Sequence, residues 1–300
     1  MKYYLSIDVG GSAIKVGILD EQGTILYKES FKTPRDTYDH LLSVLTKAFQ
    51  WGKSQKGICG VAMSLPFVLD SITGEVLSEG PFPFIFDKDI LKDLENITGL
   101  PVSVENDGNC AALAEIWIGS AKEAQNMALI VSGTGIGGAL IQNREVWHGK
   151  NHFSGEFGMT LLGWDANGVP FSWSEVGSTY GLVRAYARKK NIDVNTITGK
   201  MIFSEMDAGD EDAKSCVDHF VRYFAQGIHN LQHTFDPELI LIGGGISERE
   251  DLISRINDAL NNLYKKFSVK PSRPVVGKCT FGADANLIGA LYHHLNCSRL

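Results

Sequence analysis

The sequence predicts an α/β protein made of two related halves. A strand–glycine loop–strand unit occurs twice, at 5–19 and 127–142, and similar halves point to an internal duplication. Strongly apolar strands alternate with segments of helical periodicity throughout. The chain has 300 residues, more than one small core serves, so about two domains are expected.

Residues 3–9 read as a strand entering Gly10-Gly11, 14–19 as a second after a tight turn, and 24–31 as a third beyond the turn signal DEQG; together they make a β-meander. Leu41, Leu42, Leu45 and Phe49 fall at helical spacing within 37–51. GICGVAMSL (57–65) is a buried strand, 87–98 a helix, and PVSVEND (101–107) a strand ending in acids and an amide. The small residues of 108–119 suit a packed helix. NMALIVSG (126–133) is again a buried strand, followed by the loop GTGIGG and a hairpin turning at Asn143-Arg144. Helices are expected over 174–191, 211–235, 250–266 and 285–296, and a buried strand over 238–247. The halves should part near 115–120.

The composition is that of a globular protein: 44% hydrophobic, 21% charged and a net charge of −7. An acidic balance argues against nucleic-acid binding, which needs basic patches. No run approaches the roughly 20 apolar residues that span a bilayer. MKYYLSID has too short an apolar stretch for a signal peptide. The five cysteines (59, 110, 216, 279 and 297) are scattered without a CxxC pair, which fits a reducing cytoplasm and no disulfide framework.

Three glycine loops follow apolar strands: Gly10-Gly11-Ser12, Gly133-Thr134-Gly135-Ile136-Gly137-Gly138 and Gly243-Gly244-Gly245. Glycine permits positive φ and close backbone approach to a ligand. Successive N–H groups make an anion-binding concavity suited to phosphates. Ser12 and Thr134 add hydroxyls and Lys15 a charge. Gly133, Gly135 and Gly138 match G-x-G-x-x-G, but that fingerprint opens a helix, and ALIQNREVW reads as a hairpin. No G-x-x-x-x-G-K-[ST] run occurs, so a P-loop is disfavoured too.

DVGGSAIKVG (8–17), VENDGNCAALAE (104–115), VSGTGIGGALI (131–141), GEFG (155–158), NLQHTFDPELILIGGGIS (230–247) and FGADANLIGAL (281–291) resemble, in order, the signature segments of the ROK family of bacterial sugar kinases and related repressors. The resemblance implies the two-lobed actin/hexokinase/Hsp70-like (ribonuclease H-like) fold with ATP in the interlobe cleft. The lobes are expected over 1–117, joined by the last helix 287–300, and over 118–286. The first two loops would hold the triphosphate and Gly243–Gly245 would sit beside the adenosine, with Asp8 facing Mg²⁺ through water. Asp107 would be the catalytic base, orienting the attacking hydroxyl and accepting its proton; the bland alternative is a helix cap. Asn106 and Glu156 resemble the sugar ligands. A homodimer is implied as well.

The chain departs from the family pattern in several places. The family's GExGH histidine is Met159 here, and 160–178 contains no cysteine; a thioether without thiolates cannot make a tetrahedral zinc site, so no zinc is expected. His152 is a candidate substitute at the sugar. WSEVGST (173–179) puts its acid at Glu175, one place later than the family's, and Glu175 either reaches sugar or faces away. PFPFIF (81–86) is core or an aromatic rim. The resemblance to the family's zinc-less members implies an ATP-dependent sugar kinase acting on the 6-hydroxyl of N-acetylmannosamine, with a β-glucoside or glucose as alternatives. A family repressor is the competing class. The first strand leaves no room for a helix-turn-helix before it, and the phosphate loops are intact. A non-kinase ATPase or a dehydrogenase fits the residues less well.

Overall fold

The computed structural model describes residues 1–78, 80–268 and 271–297, and the chain divides into two compact units. One holds 1–123, 145–154 and the segment from 283 onward; the other holds 124–144 and 155–282.

In the first unit, β1 (Tyr3–Val9), β2 (Ala13–Asp20) and β3 (Ile25–Lys32) pair antiparallel as the meander. Helix α1 (Tyr38–Gln55) leads to β4 (Ile58–Leu65), and α2 (Ile90–Thr98) to β5 (Val102–Asn106). The strands β4 and β5 run parallel to β1, giving the order β3-β2-β1-β4-β5. Alternation buries Leu5, Ile7 and Val9 together with Val61, Met63 and Leu65 in one core. Asp89 caps α2 by accepting from Lys92 N at 3.0 Å, and Gly99, at φ 66°, ends it in the left-handed conformation glycine tolerates best. Helix α3 (Asp107–Ile118) is buried from Asn109 to Ile116. It packs on α9 (Ala285–Cys297), and a side chain at Gly289 would strike the Cys110 backbone, so small residues set this approach. The two-residue strand β8 (Glu145–Val146) opens the 145–154 segment.

The second unit repeats the plan. Strands β6 (Met127–Ser132) and β7 (Ile136–Gln142) form the antiparallel hairpin; β11 (Leu239–Gly243) is parallel to β6, and β12 (Val276–Lys278) to β11. The order is β12-β11-β6-β7. Asn143 and Arg144 turn with φ 53° and 67°, the left-handed pair that suits a two-residue hairpin. Helices α4 (Trp173–Gly177), α5 (Thr179–Lys190), α6 (Gly199–Asp207), α7 (Glu211–Phe235) and α8 (Leu252–Tyr264) complete it. Trp173, Phe220, Phe224 and Ile228 fill the core with Ile240 and Ile242.

The expected elements are found, with three differences. The helix expected over 174–191 breaks at Ser178, which is extended (φ −81°, ψ 159°) and accepts from Gly181 N at 2.9 Å; a hydroxyl that caps α5 competes with continuing α4. The strand expected over 238–247 stops at Gly243, and Gly245–Glu248 is a turn of 3₁₀ helix. The sequence reading missed α6, β12 and the hairpin β9 (Leu161–Trp164)–β10 (Pro170–Ser172). Asp165 closes that hairpin, accepting from Asn167 N at 2.8 Å and Val169 N at 2.9 Å. No helix among the described residues is long and apolar enough to cross a membrane.

Candidate active site

In the first unit, register builds the polar end of the sheet. Asp8 lies opposite Lys15 on β2 and Ser64 on β4. Asp8 is 4% exposed, and its carboxylate accepts from Lys15 Nζ at 3.2 Å, Ser64 Oγ at 3.2 Å and Asn286 Nδ2 at 2.9 Å. A buried carboxylate needs such partners. Lys15 Nζ also donates to Ala283 O at 3.2 Å, so it ties the end of β1 to the turn before α9.

The first glycine loop is anchored by its carbonyls. Thr33 Oγ1 donates to Gly10 O at 2.7 Å and Thr33 N to Ser12 O at 3.3 Å. Arg35 donates to Gly11 O through Nη2 at 2.6 Å and Nε at 3.1 Å. In a trans peptide the C=O of one residue and the N–H of the next point in opposite directions. Tying back the carbonyls of Gly10 and Gly11 therefore turns the amides of Gly11 and Ser12 outward. Thr33 and Arg35 had no signal in the sequence, because their role exists only once β3 is paired.

Asn106, not Asp107, caps α3: its Oδ1 accepts from Asn109 N at 3.1 Å, and its Nδ2 donates to Phe67 O at 3.0 Å. Asp107 is the first helical residue, and its Oδ1 accepts from Gly108 N at 2.8 Å. The bland reading of Asp107 as the cap is thus corrected, and both ends of Asn106 already have protein partners. Glu105 is fully buried and bound to His148. His152 adopts φ 63°, with Nε2 4.0 Å from Asp70 and Nδ1 buried without a hydrogen-bond partner among the described residues. Phe82 packs in the core between Phe67 and Phe84, while Phe86 is exposed.

In the second unit the other two loops converge. The expected positive φ occurs in them at Gly244 alone (87°), where a side chain would collide with Ser132 O. Gly133, Gly137 and Gly245 differ: their φ is not positive, and a side chain would meet nothing within 4 Å. Folding does not demand glycine there, and the bare backbone leaves room for close approach. Gly135 and Gly243 are crowded by Ser174 and Cys279. Tyr180 N donates to Gly133 O at 3.1 Å, which aims the Thr134 amide away. A cavity of about 1000 Å³ is lined by Gly133, Thr134 and Gly245, by apolar Val183, Ile197 and Phe203, and by polar Asn195, Lys200 and Arg249. Its lining also carries the acids Glu248, Glu250 and Asp251; apolar side chains interspersed with polar groups suit a nucleoside. Arg249 is fixed over the Phe203 ring at 5.1 Å and to Asp207 at 2.6 Å. The cavity walls on α6 were not legible in the sequence.

Burial pushes the Glu156 carboxyl above its ordinary range. Glu175 is spent otherwise: its Oε2 accepts from Ser172 N at 2.7 Å and Ser172 Oγ at 2.9 Å in an exposed capping box. That accounts for an acid at 175 without a ligand. Met159 is exposed, and no group of three or more His, Cys, Asp or Glu that could hold a metal occurs among the described residues.

A β-glucoside kinase of Klebsiella pneumoniae is 34% identical over 291 residues, covering 96% of this chain and 94% of its own. The structure of a ROK family protein from Streptococcus pneumoniae TIGR4 in complex with sucrose matches with TM-score 0.90 and 33% identity over 99% of each chain. A ROK family glucokinase from Streptomyces griseus, in complex with glucose and AMPPNP, matches with TM-score 0.81 and 25% identity, covering 96% of this chain and 98% of that one. The fold is the actin/hexokinase type of these kinases. The ROK family model matches residues 4–296, and this chain belongs to the ROK family.

Proposed function

We propose that the chain is an ATP-dependent sugar kinase in which Asp107 is the base. The carbonyl-anchored first loop carries this reading most directly, because outward amides at Gly11 and Ser12 form a phosphate cradle. The uncrowded Gly133 and Gly245 lining the 1000 Å³ cavity support it. The acceptor hydroxyl oxygen attacks the γ-phosphorus, the bond to the β–γ bridging oxygen breaks, ADP leaves, and the hydroxyl proton passes to Asp107. The Gly108 amide fixes the Asp107 carboxylate, so the protein supplies orientation before the proton moves. Glu156 is a proposed sugar ligand.

Asp8 is a hard oxygen donor of the kind Mg²⁺ takes. Its two oxygens already accept three protein hydrogen bonds, so contact through water fits better than direct ligation. Bound with ATP, Mg²⁺ would neutralise phosphate charge.

The proposed acceptor is a β-glucoside, phosphorylated at the 6-hydroxyl. The β-glucoside kinase relative at 34% identity favours it over N-acetylmannosamine, for which no residue decides. The test is ADP release with ATP and a panel of glucose, N-acetylmannosamine, a β-linked glucose disaccharide and an aryl β-glucoside. The β-glucosides should show the highest kcat/KM. Preference for free N-acetylmannosamine would replace the acceptor, and ATP turnover indifferent to sugar would overturn the kinase reading.

A further inference from the structure

Glu105 stands one residue before the α3 cap and takes no part in the transfer just described. It is 0% exposed, and a buried carboxylate is costly unless fully hydrogen-bonded. Its Oε1 accepts from Asn106 N at 2.7 Å and from Asn109 Nδ2 at 2.9 Å. These residues are the α3 cap and its partner, so one oxygen grips the turn on both sides of Asp107. Its Oε2 lies 2.9 Å from His148 Nε2, in the 145–154 segment. The same carboxylate therefore holds the catalytic turn and that segment.

We propose that Glu105 is a positioning residue for Asp107, and that His148 is the charge partner through which the 145–154 segment governs it. The effect on turnover rests on the sugar-kinase reading; the coupling between His148 and the turn does not.

The charges agree with the geometry. Burial pushes Glu105 up, but the His148 hydrogen bond and the neighbouring imidazoles outweigh it, and the carboxyl sits below its ordinary range. Burial pushes His148 down, but Glu105 outweighs it, and the imidazole sits above its ordinary 6.5. His293 of α9 lies 3.7 Å from Oε2 but is pushed down by burial, so His148 is the cation that matters. The other groups facing the pair are Cys297 of α9, Cys110 of α3, and Asp70 and His152; Asp8 and Asp107 act on Cys110. With His148 raised, the charged clamp is complete below pH 6.5 and is lost as pH rises through the folded pKa.

The experiment combines NMR with kinetics on the full chain. In the unsubstituted protein the His148 imidazole should titrate above 6.5, with the backbone amides of Asn106 and Gly108 shifting at the same midpoint. The kcat should fall through that midpoint while KM for ATP stays flat. In His148→Gln, the amide nitrogen replaces Nε2 and keeps the bond without the charge, so both midpoints should vanish. Glu105→Gln should lower kcat about 10- to 100-fold with KM for ATP little changed, as expected for a misplaced base. Amides that ignore the His148 titration, or a Glu105→Gln kcat within about twofold of the original, would overturn the proposal. Should Glu105→Gln not fold, His148→Gln decides it, since that side chain is 27% exposed. If no sugar is phosphorylated, the kinase reading fails, and the amide shifts still decide the positioning.

Discussion

Asp107 shows how a single residue's place in a helix separates two roles. Because Asn106 takes the cap, the carboxylate next to it is not needed to start α3. Asp107→Asn should therefore leave the fold intact and lower kcat by about 10²–10⁴-fold, the range for a lost general base; circular dichroism and steady-state kinetics together check it, and full activity would remove the base. Asp107, Asn106 and Glu156 stand out as candidates in the sequence because they sit in short local motifs. The bonds of Lys15 to Asp8 and of Glu175 to Ser172 were not legible there. His148, Thr33 and Arg35 were silent, since their partners come from distant segments that only pairing brings near.

At the scale of elements, the paired hairpins and parallel strands were legible because apolar runs and glycine punctuation have fixed periods. The α4–α5 break was not, because Ser178 can sit within a helix or cap one, and only its bond to Gly181 decides. Nor was the β9–β10 hairpin, whose strands have four and three residues. The third glycine loop gives an element-level expectation. Gly244→Ala places a side chain at φ 87° against Ser132 O, a strain of about 1–3 kcal/mol. It should lower the melting temperature and raise KM for ATP more than KM for sugar. Equal effects on both constants would show that the loop does not serve the nucleotide.

For the molecule as a whole, acid is the expected weakness. His294, 4% exposed beside Ser103, is pushed down by burial to about 4 from 6.5. The unfolded chain binds that proton and the folded one does not, so stability falls as pH drops through 6.5 towards 4. The loss is on the order of 3 kcal/mol. Urea melts at neutral and acid pH should show it, and His294→Gln should flatten the dependence. The segment membership of the two units has a further consequence, for making pieces of this protein. The chain passes from one unit to the other after 123, after 144, after 154 and after 282. A gene truncated after Glu123 encodes β1–β5 and α3 but omits α9, the helix that Gly289 seats against Cys110. That product should be recovered insoluble or molten, and co-expressing a 283–300 peptide should improve its yield; a soluble, cooperatively melting 1–123 fragment would show that α9 is dispensable.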